Sequence, residues 1–83
     1  MRLITKTEQL IEARIRKGLS QRGLATKAGI TSGYISQIEN GLYNPSPKVA
    51  QKIAEALSID FDEIFLIKKP QKSKGTQKVE ASV

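Results

Sequence analysis

Leu19–Gly41, LSQRGLATKAGITSGYISQIENG, is the stretch on which the fold of this chain turns. Ser20 carries the short hydroxyl side chain that meets an orphan backbone amide where a helix begins. Leu24, Ala25 and Ala28 then share one helical face, and an alanine at 25 lets a second helix cross close by. Gly29 stands where that helix must stop and the chain reverse, a position that favours positive φ. Ile30 returns to the interior, and Thr31 can cap the next helix. Ile35 and Ile38, three apart, point inward and leave Ser32, Gly33, Ser36 and Gln37 on the opposite face until Gly41 ends the segment.

Two short helices, a tight turn, and small polar residues facing outward on the second helix make a helix-turn-helix. In that motif the second helix lies in a DNA major groove. The residues that build it also carry a resemblance. LSQxxLA, the glycine four residues after Ala25, YISQIENG, and then NPS and KIAEAL are similar to the Cro/cI-type helix-turn-helix family, also called XRE. The resemblance covers about residues 8 to 66. It implies a compact five-helix bundle of the phage-repressor type that binds double-stranded DNA and pairs as a homodimer.

The flanking sequence reads consistently with this. Thr7, Glu8 and the apolar series Leu10, Ile11, Ala13 and Ile15 predict a first helix to about Lys17, which Gly18 stops. Residues 42–45 form a loop, and Ser46-Pro47 is a helix start with serine as cap and proline at the first helical position. Val49, Ile53, Ala56 and Leu57 give a fourth helix its apolar face. Asp60 is placed to cap a short fifth helix that holds Phe61, Ile64 and Phe65. After Ile67 the periodicity ends in KKPQKSKGTQKVEASV, which reads as a disordered Lys-rich tail. The expectation is therefore an all-α domain over residues 7–67 and a tail over 68–83, with no competing β pattern.

Composition narrows the chemistry. Eighty-three residues suit one small domain, and the chain contains neither cysteine nor histidine. Disulfides, thiolate catalysis and zinc-finger ligation are thereby excluded. General acid–base work would fall to carboxylates or lysine, and Asp60, Asp62 and Glu63 read as a helix start and a surface cluster rather than a catalytic set. No enzyme activity, metal or small-molecule cofactor is expected. No apolar run approaches the roughly 20 residues needed to span a bilayer. The first ten residues lack the apolar core of a secretion signal, so no membrane association and a cytoplasmic location are expected.

Charge points to the partner. Of the net +6, residues 14–52 carry +6, residues 53–67 carry −4 and residues 68–83 carry +4. The positive charge thus concentrates on the presumed reading segment and the tail, which favours a polyanion through counterion release.

Gln37 is the leading candidate for base reading, because a glutamine amide pairs bidentately with adenine N6 and N7. Its position also matches a base-contacting one in the resembled family. Ser32 and Ser36 are short and reach base edges only if the helix lies deep. Gly33 stands where the family places a longer polar side chain. It reads equally as a missing contact and as a point of close backbone approach or thymine-methyl contact. The resemblance implies that Gln21 touches a phosphate, with Thr31, Tyr34, Asn40, Tyr43 and Lys48 as further backbone contacts. Arg22 and Lys27 add attraction that is independent of sequence. Arg14 and Glu39 match a family pair in which a first-helix arginine braces the end of the reading helix. As an exposed bridge that pair would contribute only about 0–1 kcal/mol.

Two departures from the family pattern stand out: Gly23 where a glutamate is favoured, and the apolar pair Ile11 and Ile15 beside the Leu10 face. Phe61, Phe65, Leu66 and Ile67 form the expected pairing surface, with Phe61 and Ile64 leaning to core and Phe65 and Leu66 to the shared side. The competing reading is a protein-interaction adaptor or antitoxin-like module on the same scaffold.

Overall fold

The computed structural model describes residues 2–68. Five helices run in order: α1 (Thr7–Arg16), α2 (Gln21–Ala28), α3 (Ser32–Glu39), α4 (Pro47–Leu57) and α5 (Phe61–Ile64). Strands β1 (Arg2–Thr5) and β2 (Phe65–Lys68) bracket them. The expected tail lies, apart from Lys68, outside the described residues.

Local chemistry sets the helix boundaries. Ser20 Oγ accepts from the Gly23 amide at 2.9 Å, Thr31 Oγ1 from the Tyr34 amide at 3.2 Å, and Ser46 Oγ from the Val49 amide at 3.3 Å. Each satisfies one of the free donors at a helix start. Pro47 opens α4, where its missing N–H is no loss. Gly29 takes φ 74° and ends α2, after which the Ile30 amide bonds back to the Ala25 carbonyl at 2.9 Å. That is the Schellman closure, and it turns the chain sharply into α3. Asp60 does occupy the cap position of α5, but its side chain makes no cap hydrogen bond.

The core follows from the apolar periodicity. Leu10, Leu24, Ile35, Ile38, Ile53, Leu57, Ile64 and Phe65 are fully buried side chains. Ala25 and Ala28 of α2 and Ala50 and Ala54 of α4 are buried as well, and the two helices pack against each other. Small buried residues suit such packing, since interaxial distance depends on side-chain size.

The all-α expectation is corrected at the chain ends. β1 and β2 pair antiparallel, with Leu3 opposite Ile67 and Thr5 opposite Phe65. The fold therefore takes in Arg2–Thr5 and Lys68 in addition to residues 7–67. Each strand has only four residues, too few to display an alternating pattern, and β2 follows α5 without a break. A two-stranded ribbon is marginal alone and needs a surface to pack on. Here Phe65, 1% exposed, inserts into the helical core and Leu3 packs against it. Two further bonds clamp the ribbon: the Lys6 amide donates to the Ile64 carbonyl at 2.8 Å, and the Thr5 amide to Asn44 Oδ1 at 3.0 Å.

The brace between α1 and α3 is more deeply set than an exposed bridge. Arg14 Nε donates to Glu39 Oε2 at 2.7 Å and Nη2 to Oε1 at 3.1 Å, while Nη1 donates to the Leu19 carbonyl at 2.9 Å. Gln21 Nε2 adds a bond to Glu39 Oε1 at 3.0 Å. The two charged side chains are 14% and 4% exposed. A bidentate pair with its remaining lone pairs satisfied is the geometry in which a buried ion pair holds. It locks the C-terminal end of α3 to α1 and to the α1–α2 turn.

Two outcomes follow for stability. Ser58 holds φ 56°, ψ 40° on the surface after α4, a left-handed conformation that costs a residue with a Cβ roughly 1–2 kcal/mol. Ser58→Gly is expected to raise the denaturant midpoint with unchanged slope, by up to about 1 kcal/mol; a lowered midpoint would contradict this account. Glu39→Ala is expected to destabilise by about 3–5 kcal/mol, because Arg14 is left buried and unpaired. The double change Arg14→Met with Glu39→Leu should recover most of that loss in the same denaturation assay.

Candidate nucleic-acid interface

α3 divides cleanly between core and surface. Ile35, Ile38 and Glu39 are buried; Gly33, Gln37 and Asn40 are exposed; Ser32, Tyr34 and Ser36 lie between. The exposed strip is the one that the spacing of the two isoleucines predicts. Ile35 and Ile38 in the core and Glu39 braced to α1 fix the orientation of the helix about its axis by packing and by hydrogen bonds.

The structure brings five of the expected contact residues together. Thr31, Gly33, Tyr34, Gln37 and the loop residue Tyr43 line one shallow hollow at the N-terminal end of α3. Tyr34 and Tyr43 form its rim, their rings edge-on at 5.1 Å between centroids and 65° between planes. Burial raises the Tyr34 phenol above its ordinary range; Tyr43 acts in the same direction, and a backbone hydrogen bond at Ser46 opposes them. Tyr34 is therefore neutral at physiological pH and able to donate or accept. The Tyr34–Tyr43 pairing was not legible in the sequence, because a helix residue and a loop residue meet only after the chain turns at Gly41.

Other expected contacts are placed differently. Gln21 sits half-buried in the Arg14–Glu39 brace, where its amide nitrogen is already engaged by Glu39. In this arrangement it orients α2 against α3. Arg14 points its guanidinium at Glu39 and the Leu19 carbonyl rather than out of the molecule. Asn40 Nδ2 reaches Ser36 Oγ at 3.4 Å, tying two candidates to each other across one helical turn. Arg22 and Lys48 are exposed at the starts of α2 and α4. Lys27 instead lines a groove with Lys52 and Glu55 of α4, away from the residues of α3.

The expected pairing surface is corrected in one respect. Phe65 is buried in its own chain's core and Phe61 is half-buried against it, ring centroids 5.1 Å apart. An aromatic ring that anchors the ribbon from beneath has no surface to share. Leu66 and Ile67, 48% and 49% exposed, are the apolar residues of that region that face outward. Among the described residues, no helix is long and apolar enough to cross a membrane.

A sequence profile of the helix-turn-helix family matches residues 10–64. The HTH-type transcriptional regulator SlrR of Bacillus subtilis is 38% identical over 53 residues, which cover 63% of this chain and 35% of that protein. The match thus spans about a third of SlrR's length. An uncharacterized HTH-type transcriptional regulator of Archaeoglobus fulgidus is 36% identical over 55 residues, covering 66% of this chain and 79% of the relative. Among solved structures, the restriction-modification controller protein C.AhdI from Aeromonas hydrophila aligns with a TM-score of 0.66 at 38% identity, over 69% of this chain and 83% of that one. With its turn at Gly29, its capped α3 and a matched span running from α1 through α5, the chain belongs to the XRE-type helix-turn-helix family of DNA-binding transcriptional regulators.

Proposed function

We propose that this regulator is a sequence-specific repressor that lays Ser32–Asn40 in the major groove of a pseudo-palindromic operator as a homodimer. The observation that carries this reading is the exposed strip of α3. It has one long amide side chain, Gln37, above a hollow that gathers Thr31, Gly33, Tyr34 and Tyr43. Ser32, Gly33, Ser36 and Gln37 face bases. Thr31, Tyr34, Asn40, Tyr43, Arg22 and Lys48 meet phosphates around them. The net +6 over residues 14–52 draws the duplex in, and the acidic stretch 53–67 keeps the far end of the molecule away from it. Gln21 serves chiefly through the brace, holding α2 and α3 at the angle that the groove requires.

One reading helix spans too few base pairs to be specific, and a two-fold pair sets two helices about 34 Å apart, one turn of duplex. The exposed Leu66 and Ile67 on β2 support a pairing surface at the ribbon. Occlusion of a promoter by such a dimer is repression without any further domain, and the cytoplasm is where its DNA partner lies.

Gln37→Ala is expected to lower affinity for the preferred duplex by about 1–3 kcal/mol and to leave binding to random duplex unchanged, as read by titration at fixed salt. Unaltered sequence discrimination would remove Gln37 from base reading. Binding that ignores both duplex sequence and salt, alongside tight binding to a protein, would favour an adaptor instead. Sedimentation should find a dimer that Leu66→Asp converts to a folded monomer; a monomeric wild type at micromolar concentration would refute pairing through the ribbon.

A further inference from the structure

Gly33 is a glycine for which the protein itself supplies no reason. It lies inside α3 with ordinary helical backbone, unlike the glycines at 18, 29 and 41, whose φ values are positive. A Cβ built on it meets nothing within 4 Å. Gly23 is different, since a Cβ there would come within 3.3 Å of Ser20 Oγ and 3.4 Å of Leu19 Cδ2. Glycine weakens a helix relative to alanine, it is the residue that lets a backbone come close to a ligand, and the free space over Gly33 leaves room for a group from outside the chain. Gly33, with no side chain of its own, lines the hollow together with Thr31, Tyr34, Gln37 and Tyr43.

The walls describe the occupant. None is charged, so the inside of the hollow suits an uncharged group, and Thr31, Tyr34 and Tyr43 meet phosphates only from its outer edge. Two tyrosine rings and the threonine methyl supply apolar surface. Thr31 Oγ1 accepts from the Tyr34 amide and keeps its own proton to donate, and the Gln37 amide can donate beside it. The fitting group is a small apolar protrusion next to a hydrogen-bond acceptor. In a major groove that description belongs to thymine, whose C5 methyl adjoins O4. Gln37 follows Gly33 by one helical turn, about 6 Å along the axis, which places its amide within two base-pair steps of that thymine.

Resting on the regulator reading above, we infer that the hollow over Gly33 receives the C5 methyl of one thymine in each half-site, making Gly33 a specificity-determining residue. An alanine at 33 would fill the space the methyl needs while leaving the helix sound.

The test begins with the full chain and a duplex that it enriches from a random pool. Each thymine is replaced singly by deoxyuridine, which removes the methyl and leaves O4 and the base pairing intact. One position per half-site is expected to lose affinity about fourfold, the contribution of one buried methyl group. Gly33→Ala is expected to melt no lower than wild type, to bind the thymine duplex more weakly, and to bind thymine and uridine duplexes alike. An enriched duplex indifferent to every uridine replacement overturns the inference alone. So does a Gly33→Ala protein that keeps full affinity and full uridine sensitivity. A pool that yields no enriched duplex overturns the regulator reading and this inference with it.

Discussion

The bidentate pair between Arg14 and Glu39 is the contact on which the placement of the reading helix rests. Glu39 is the only acid in the otherwise cationic segment of residues 14–52, and it is 4% exposed. A lone buried carboxylate would be untenable there. Arg14, the Gln21 amide and the Leu19 carbonyl convert it into a closed polar node that joins α1, the α1–α2 turn, the start of α2 and the end of α3. Apolar packing through Ile35 and Ile38 is non-directional and would tolerate some rotation of α3. A fork of hydrogen bonds with fixed angles would not. Specificity of orientation, more than stability, is what such a node adds to a small core.

The ribbon of β1 and β2 solves a different problem. A bundle of about 60 residues buries a modest share of its surface and has little margin at its ends. Pairing the two ends, and driving Phe65 from β2 into the helical core, adds a large aromatic group to that core. The bond from the Thr5 amide to Asn44 joins the ribbon to the loop that carries Tyr43. The same loop supplies one wall of the hollow beside α3. The chain ends and the reading face are thus linked through residues 43–44, a connection between stability and site geometry that runs outside the motif.

The reading face itself is spare. Serines and a glycine surround a single glutamine, so the proposed function requires the backbone of α3 to come close to the bases. Close approach in turn demands that α3 neither roll nor tilt. A short-side-chain reading face and a rigid polar brace behind it are two halves of one arrangement.

By itself the sequence determined the five helices, the caps at Ser20, Thr31 and Ser46 and the turn at Gly29, because these depend on residues three or four apart along the chain. It also determined the partition of α3 into Ile35 and Ile38 inside and Gln37 outside. The identity of the Arg14–Glu39 brace was legible too, though only through a family likeness, and its burial was not. Tertiary structure alone decided that residues 2–5 and 65–68 pair, that Phe65 is core rather than surface, that Gln21 joins the brace, and that Tyr43 closes a hollow over Gly33. Each of these joins residues distant in sequence, where no periodicity signals a partner. Burial at such places depends on which surfaces the folded chain brings together, and four-residue strands or a lone tyrosine in a loop carry no trace of that in their own neighbourhood.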